Sequence, residues 1–319
     1  MRLCRARIGG QVQAAFYDEQ RLIPLREGAA AFERVTGKSL KLPADDNLLD
    51  FLPAGGAAFS VARDLAAWLA ADPSHVPAGG SVPTADAELL VPLPRPNKIF
   101  LLAGNYADHI QEGGGVAAER AETFPYVFMK PPTTTLTAPG RPIRIPRISP
   151  NAIDWELELA VIIGRTAKGV READALKYVA GYTIVNDISN RKFKPNPQRK
   201  ERPKDAFFDW LHGKWHDSFC PMGPCVTSAD AIPDPQALPM ELTLNGQTRQ
   251  KGSTGQQIFP VAAVIEFISS LVTLEPGDII STGTPAGVGS STGTFLKPGD
   301  RLEARIGSIG TLVTPVEAE

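Results

Sequence analysis

Two glutamates one residue apart, at the start of an apolar segment, are the first candidates for chemistry in this sequence. Glu156 and Glu158 lie within residues 154–164, which read Asp-Trp-Glu-Leu-Glu-Leu-Ala-Val-Ile-Ile-Gly. Alternate side chains of a β-strand share a face, so these carboxylates would point the same way with Cα atoms roughly 7 Å apart. Like charges beside an apolar run are costly unless solvent or a cation lies between them. The pattern therefore indicates either a divalent-metal site or a strand with one solvated face.

A third carboxylate, Asp187, ends the next β-rich segment. Residues 182–187 read Tyr-Thr-Ile-Val-Asn-Asp, and this β-branched and aromatic composition predicts a strand. Three carboxylates carried by two neighbouring strands would offer hard oxygen ligands, which suit Mg²⁺, Mn²⁺ or Ca²⁺ better than Zn²⁺. The alternative interpretation is that Asp187 caps a turn.

His109 and Glu112 form a candidate acid–base pair. They follow a Gly-Asn break, in the segment Tyr-Ala-Asp-His-Ile-Gln-Glu, and a helical turn there would place both on one face. A carboxylate beside an imidazole raises its basicity and fixes its orientation, which is what a water-activating pair requires. A surface histidine with an ion-pair neighbour is the alternative interpretation.

Cationic residues occur at two further places. Lys130 ends the strand-like segment 125–132, where it either contacts an anionic substrate or is simply solvated. Residues 191–204 are basic and contain several prolines, a composition that predicts irregular structure. The region 192–213 is therefore either a mobile lid that attracts an anionic small molecule or a solvated loop.

A rival metal site would combine His and Cys residues farther along the chain. His212, His216, Cys220 and Cys225 stand close together, and such residues can bind zinc. Their spacing matches none of the usual paired zinc knuckles, and prolines and a glycine interrupt it. The carboxylate site is the stronger candidate.

The elements that must position these residues divide the chain in two. Residues 1–90 read as a small α/β domain, with short strands on either side of residues 18–20 and a helix over 57–71. A proline-rich connector over 92–96 then leads into a second domain, residues 95–319. There we expect a helix-like stretch over 171–180, a hairpin that turns at Asn245-Gly246 and a helix over 259–271.

Composition and charge exclude several classes of protein. The chain has 43% hydrophobic and 21% charged residues, as is usual for a globular protein, and a net charge of −2 that favours no nucleic-acid partner. The N-terminus lacks a secretory apolar segment, and no apolar run reaches membrane-spanning length. Three cysteines argue against a disulfide framework. We therefore expect a cytoplasmic protein with reduced thiols that binds no membrane.

Ordered motifs over residues 95–315 give a more specific indication. They are Gly104-Asn-Tyr-Ala-Asp-His with Glu112, Phe128-Met-Lys-Pro, Asp154-Trp-Glu-Leu-Glu-Leu, Gly181-Tyr to Asn186-Asp187 with Ser189 and Arg191, Gly213-Lys214, Pro221-Met-Gly-Pro, Asn245-Gly, and Leu274-Glu-Pro-Gly-Asp-Ile-Ile-Ser-Thr-Gly-Thr-Pro-Ala-Gly-Val-Gly. In content and order this set resembles the fumarylacetoacetate hydrolase family.

The resemblance implies a fold, an assembly and a set of roles. It implies an α+β protein whose β-rich catalytic domain is a mixed sheet sandwich or roll, following a small N-terminal α/β domain, and it implies a homodimer. A divalent ion, Mg²⁺ with Mn²⁺ or Ca²⁺ as alternatives, would be the cofactor. The roles it assigns are metal ligation by Glu156, Glu158 and Asp187, general-base catalysis by His109 with Glu112, a catalytic lysine at Lys214, and substrate contacts at Arg191, Thr284 and Lys130.

One stretch departs from the family pattern. After Arg191, many members carry an acidic residue and then a glutamine that touches substrate, whereas this sequence has Lys192 and Lys194 there. The basic loop that follows is also longer than is common. The departure concerns the part of the site that would select the substrate.

The reaction implied by the resemblance is hydrolysis of a carbon–carbon bond in a small anionic β-diketo acid of the acylpyruvate or fumarylpyruvate type. His109, supported by Glu112, would take a proton from water, and Lys214 would stabilise the oxyanion. The same chemistry serves decarboxylation or isomerisation of oxaloacetate-like or unsaturated keto acids, and reactions of sugar-derived deoxy-keto acids. A binding protein without catalysis would not need the His-Glu pair.

Overall fold

The computed structural model describes residues 1–43, 46–76 and 79–319. Strands outnumber helices in this part of the chain. The strands are β1 Arg2–Ile8, β2 Gln11–Tyr17, β3 Arg21–Pro24, β4 Val82–Pro83, β5 Glu88–Leu90, β6 Ile99–Ala103, β7 Tyr126–Met129, β8 Leu136–Thr137, β9 Ile143–Ile145, β10 Ile153–Asp154, β11 Leu157–Ile163, β12 Val179–Asn186, β13 Ser189–Asn190, β14 Cys220–Ser228, β15 Pro239–Leu244, β16 Gln247–Ser253, β17 Ile279–Ser281, β18 Arg301–Ile306 and β19 Gly310–Ala318. The helices are α1 Leu25–Thr36, α2 Phe59–Ala71, α3 Ala107–Glu112, α4 Glu172–Ala175, α5 Asp205–His212, α6 Val261–Leu271 and α7 Gly289–Thr292.

A large mixed sheet joins the N-terminal segment to the rest of the protein. Its strand order is β4-β3-β2-β1-β14-β12-β11-β17-β6-β7, and β5 and β8 pair with β1 and β14. The junction is the antiparallel pairing of β1 with β14, in which Leu3 lies opposite Val226. The division into domains 1–90 and 95–319 stays a prediction, and the two segments share one continuous sheet.

Strand β11 lies near the middle of this sheet and is buried on both faces. Leu159, Val161 and Ile163 belong to one apolar cluster, whereas Ala160 and Ile162 belong to another on the opposite face. This is the alternation that a strand imposes on its side chains. A strand with core on both sides must be apolar at nearly every position, as the sequence of β11 is. The strand is therefore a rigid base for any residue at its start.

A second sheet has the order β16-β15-β18-β19-β9. The predicted hairpin turn between β15 and β16 is confirmed, because Asn245 and Gly246 both have positive φ, at 52° and 77°. Asn followed by Gly is the pair that tolerates this conformation in a two-residue hairpin. This hairpin carries β16 against the loop that follows β17, where Gly252 packs on Pro285.

The α+β, β-rich fold class is confirmed, as are helices near their predicted positions at α2, α3 and α6. The predicted helix over 171–180 is wrong in its second half. Only Glu172–Ala175 is α-helical, a short 3₁₀ turn follows, and Val179 already pairs with Ile163 of β11. Pairing with a buried central strand outweighs the weak helical preference of this segment. No helix among the described residues has both the length and the apolar character needed to cross a membrane.

Shortening a side chain of β11 should destabilise the protein strongly. Ile162 is fully buried, so we expect Ile162→Ala to lower the free energy of unfolding by about 2–5 kcal/mol through lost burial and an unfilled cavity. The matched control is Ile148→Ala, because Ile148 is 69% exposed, and its change should stay within about 0.5 kcal/mol. Urea-induced unfolding measures both. Equal losses would contradict the central position of β11.

Candidate active site

Strands β11 and β12 bring the three predicted metal ligands together. Glu158 lies in β11, Glu156 lies just before it, and Asp187 follows β12, where its backbone N–H donates to the Glu156 carbonyl at 2.8 Å. One carboxylate oxygen from each residue lies within 4.8 Å of the other two, and all three side chains are buried. The sequence predicted one continuous strand over 154–164, but the structure interrupts it at Trp155 and Glu156.

Glu156 is surrounded by cations. Its Oε2 accepts from Lys214 Nζ at 2.7 Å, and its Oε1 lies 2.6 Å from a terminal nitrogen of Arg191 and accepts from the Ser189 hydroxyl at 3.2 Å. Burial alone would raise the pKa of Glu156, but Lys214 and Arg191 outweigh it and hold the pKa below its usual range. Glu156 therefore favours its anionic form, as a metal ligand would require.

Glu158 has a different environment, with one satisfied oxygen and one free. Its Oε2 accepts from the Ser281 hydroxyl at 2.6 Å and from the Gly283 backbone N–H at 2.9 Å. Its Oε1 is buried and makes no hydrogen bond within the described residues. Burial and the neighbouring charges of Asp187 and Glu156 raise the pKa of Glu158 well above its usual value. A free buried carboxylate oxygen beside two other carboxylates fits a divalent cation.

Asp187 is held by two lysines. Lys214 donates to its Oδ2 at 2.5 Å, and Lys130 forms an ion pair with its Oδ1. The ammonium of Lys130 also donates to the carbonyls of Ile188 at 2.8 Å and Phe219 at 2.5 Å, and only 1% of the residue is exposed. Two of the three N–H donors of the ammonium are thus used by backbone carbonyls. The predicted contact of Lys130 with substrate stays a prediction.

The predicted acid–base pair is formed on helix α3. His109 Nδ1 lies 2.8 Å from Glu112 Oε1, and the other oxygen of Glu112 accepts from the Gly287 backbone N–H at 2.9 Å. The Gly287 carbonyl accepts from the Trp155 indole at 3.1 Å, so the loop that holds Glu112 also contacts the residue before Glu156. Gly287 has a φ of 102°, and a Cβ there would lie 2.1 Å from the Arg249 carbonyl. Only glycine suits this position.

Arg191 links Glu156 to a buried acid. Its Nε donates to Asp154 Oδ2 at 2.8 Å, and Asp154 also accepts from the backbone N–H groups of Gly289 and Ser290. Arg191 is thereby fixed beside the cluster, and its remaining N–H groups are available to an anionic substrate. This placement is compatible with its predicted role, which stays a prediction.

Thr284 is part of a set of buried hydrogen bonds that the sequence did not predict. The Thr284 hydroxyl donates to the Leu157 carbonyl at 2.9 Å and accepts from the Gln250 amide at 2.8 Å. Its predicted contact with substrate stays a prediction, and here it binds the strand that carries the glutamates. Gln250 was missed because nothing in its residue type or spacing marks it. Its burial on β16 appears only when the strand packs.

The other predicted features have mixed outcomes. The basic region contains helix α5, and Arg199 within it forms ion pairs with Asp205 at 2.9 Å and with Asp209. Its motion as a lid stays a prediction. The rival zinc set is not assembled: among the described residues, the acidic trio is the one group of three or more His, Cys, Asp or Glu side chains close enough together to hold a metal ion. The Cys225 thiol donates to the Ile309 carbonyl at 3.1 Å instead.

The fold and this site define a class of protein. Residues 98–317 match the fumarylacetoacetate (FAA) hydrolase C-terminal family model. The chain therefore belongs to the fumarylacetoacetate hydrolase family, as the sequence motifs indicated.

Its relatives have more than one enzymatic activity. Oxaloacetate tautomerase Fahd2a, a mitochondrial protein of Rattus norvegicus, is 35% identical over 271 residues, which are 84% of this chain and 79% of the relative. The solved structure of 5-carboxymethyl-2-hydroxymuconate delta-isomerase from Mycobacterium smegmatis aligns over 100% of this chain and 99% of its own, with a TM-score of 0.68 and 28% identity. Maleylpyruvate hydrolase from Sphingobium sp. SYK-6 aligns over 100% of both chains, with a TM-score of 0.71 and 28% identity. The family is enzymatic, and its reactions include tautomerisation, isomerisation and hydrolysis.

Removing the Lys130 ammonium should destabilise the protein far more than removing an exposed one. In Lys130→Met, Asp187 loses one of its two buried cations and two buried carbonyls lose a charged donor, so we expect a loss of about 3–5 kcal/mol in the free energy of unfolding. The control is Lys194→Met, because Lys194 is 39% exposed in its pair with Glu201 and should contribute less than about 1 kcal/mol. Both values come from urea denaturation. A small loss in Lys130→Met would mean that its ammonium is not held as described.

Proposed function

We propose that this protein is a divalent-metal-dependent enzyme that converts a small anionic α-keto acid into its enol, with keto–enol tautomerisation of an oxaloacetate-like acid as the reaction. The observation that carries the proposal is the hydrogen-bonded His109–Glu112 pair, which Gly287 connects to Trp155, the residue before Glu156 of the buried carboxylate trio. A positioned base beside a cation site is the equipment for removing a proton next to a carbonyl. The substantial identity to the rat oxaloacetate tautomerase supports this choice of substrate.

The charges of the site suit an anionic substrate. The site contains four acidic and three basic side chains, so its net charge is −1 when all are ionised. A bound divalent ion would change this net charge to +1. The net positive charge would attract a carboxylate into a buried site where the attraction is weakly screened. The acids are Asp154, Glu156, Glu158 and Asp187, and the bases are Lys130, Arg191 and Lys214.

His109 has the arrangement of a general base. Its Nδ1 is engaged by the Glu112 carboxylate, which accepts a hydrogen bond, so the lone pair is on Nε2. Nε2 would take the proton from the carbon next to the ketone and return one to the ketone oxygen. Glu112 would stabilise the protonated imidazole in between, because its own position is fixed by Gly287.

The cations of the site would bind the substrate carboxylate and stabilise the negative charge that develops on the substrate oxygen. Lys214 uses two of its N–H donors on Glu156 and Asp187, and the third would face the oxygen on which negative charge develops. Arg191 would orient a carboxylate of the substrate. A divalent ion, Mg²⁺ or alternatively Mn²⁺ or Ca²⁺, held by Glu156, Glu158 and Asp187 would act as a Lewis acid on the keto acid.

Hydrolysis of an acylpyruvate is the second candidate, and it needs the same residues with His109 acting on water. The observation in its favour is the likeness to maleylpyruvate hydrolase over the whole chain. Incubation of the Mg²⁺- or Mn²⁺-loaded protein with enol-oxaloacetate, acetylpyruvate and fumarylpyruvate separates the two. Loss of the enol absorbance without new acids supports the tautomerase, and pyruvate with a second carboxylic acid supports the hydrolase. Pyruvate with carbon dioxide would instead indicate a decarboxylase.

Replacing His109 should abolish turnover and leave ion binding intact. We expect His109→Asn to lower kcat by at least about 100-fold, because the general base is lost, while Mn²⁺ affinity measured by titration changes little. His75→Asn is the matched control, because that ring stacks on Trp68 in the N-terminal segment. If His109→Asn lost Mn²⁺ binding, or kept full activity, the assigned role would be wrong.

Further proposals concern partners and location. We propose, from the family resemblance, a homodimer without nucleic-acid or membrane partners and, from the composition, a cytoplasmic location. Mass measurement in solution tests the dimer.

A further inference from the structure

Gln250 occupies an unusual position on strand β16. The other side chains of this strand are exposed or partly exposed, whereas Gln250 is fully buried. A primary amide without partners is costly in such a place, and an apolar side chain would serve simple packing better. The burial of this one polar group therefore requires an explanation.

Every hydrogen-bonding group on the Gln250 side chain is used, and the partners lie at the active site. Its Oε1 accepts from the Leu157 backbone N–H at 2.9 Å. Its Nε2 donates to the Thr284 hydroxyl and to the Pro285 carbonyl, both at 2.8 Å. Thr284 in turn donates to the Leu157 carbonyl at 2.9 Å. Gln250, Thr284 and Leu157 thus form a closed ring of hydrogen bonds.

The ring holds the backbone between two metal ligands. Leu157 stands between Glu156 and Glu158, and both its N–H and its carbonyl are engaged by the ring. Rotation of this segment would move both carboxylates, so the ring fixes the direction in which they point. Groups that orient ligands in this way commonly change metal affinity by 10–100-fold when they are lost.

The same ring holds the loop that fixes the acid–base pair. Gln250 binds the Pro285 carbonyl, and two residues farther along Gly287 donates its N–H to Glu112. The Gly287 carbonyl accepts from the Trp155 indole at 3.1 Å, which ties the loop a second time to the segment before β11. A single buried amide is therefore connected to both halves of the site.

We propose that Gln250 is a positioning residue that sets the placement of the carboxylate trio relative to the His109–Glu112 pair. This inference rests on the proposed function and deepens it. Gln250 makes no contact with the reacting atoms, and it acts through Leu157 on the metal ligands and through residues 284–287 on the base.

Two substitutions and one control test the proposal. Gln250→Leu is close in size but removes all three hydrogen bonds, and Thr284→Val removes the hydroxyl from the ring while keeping its shape. Gln247→Leu is the control, because Gln247 lies on the same strand and is exposed. Folding of each variant is checked by thermal unfolding, and Mn²⁺ affinity is measured by titration with Mn²⁺ alone.

The expected result is a coupled defect. In Gln250→Leu, Mn²⁺ affinity falls by about 10-fold or more because the ligands lose their orientation. At saturating Mn²⁺, kcat also falls by about 10-fold or more, while KM changes by less than about threefold, because the base rather than the substrate contacts is displaced. Thr284→Val moves both quantities in the same direction, and Gln247→Leu matches the unmodified protein.

Several outcomes would overturn the proposal. A folded Gln250→Leu that is less stable but keeps its Mn²⁺ affinity and kcat would have a role in folding alone. If Gln250→Leu fails to fold, the Mn²⁺ affinity of Thr284→Val, measured without substrate, decides instead, and an unchanged affinity would overturn the proposal. If the unmodified protein converts none of the keto acids, the proposed function fails, whereas the Mn²⁺ titrations still decide whether Gln250 orients the carboxylates.

Discussion

Burial of negative charge is the constraint on which the rest of this structure depends. Glu156, Glu158 and Asp187 lie together in the interior, where isolated charges are costly and like charges repel strongly. The protein answers this with Lys130, Lys214 and Arg191, each in contact with one or two of the carboxylates. The compensation is uneven, because Glu156 and Asp187 each have two cations, whereas Glu158 has one free oxygen. That imbalance marks where a divalent cation fits.

The cations are themselves held by the fold, which gives the cluster a fixed shape. Lys130 is anchored by carbonyls of Ile188 and Phe219, and Arg191 is anchored by Asp154. Glu158 stands on β11 and Glu156 just before it, and β11 has an apolar core on both faces. Asp187 follows β12, which is paired with β11 along its length. Charges that are fixed before a substrate arrives need no rearrangement during the reaction, which is the basis of electrostatic catalysis.

Features that depend on the spacing of residues close in sequence could be predicted from the sequence. The proximity of the Glu156 and Glu158 carboxylates, the His109–Glu112 contact one helical turn apart and the Asn245-Gly246 turn follow from spacing, although the strand begins only after Glu156. Contacts between distant segments could not be predicted in this way. The three hydrogen bonds of Gln250, the two hydrogen bonds of Lys130 to backbone carbonyls and the entry of Val179 into a strand depend on which segments pack together.

The placement of the carboxylate trio and the His109–Glu112 pair on different elements offers a physical account of how one fold would support several reactions. The trio belongs to the central sheet, whereas His109 belongs to a short helix that is attached to the sheet through Glu112 and Gly287. Residues 284–287 contact Glu112 through Gly287 and the segment between the glutamates through Thr284, so a change in this loop would alter which atom His109 faces, a carbon-bound proton or a water. Lys192, at the position where the sequence departs from the family pattern, lies 5.5 Å from the centre of the Phe295 ring. On this account, members of the family would share the means of stabilising an enol and would differ in whether the base removes a proton from carbon or from water.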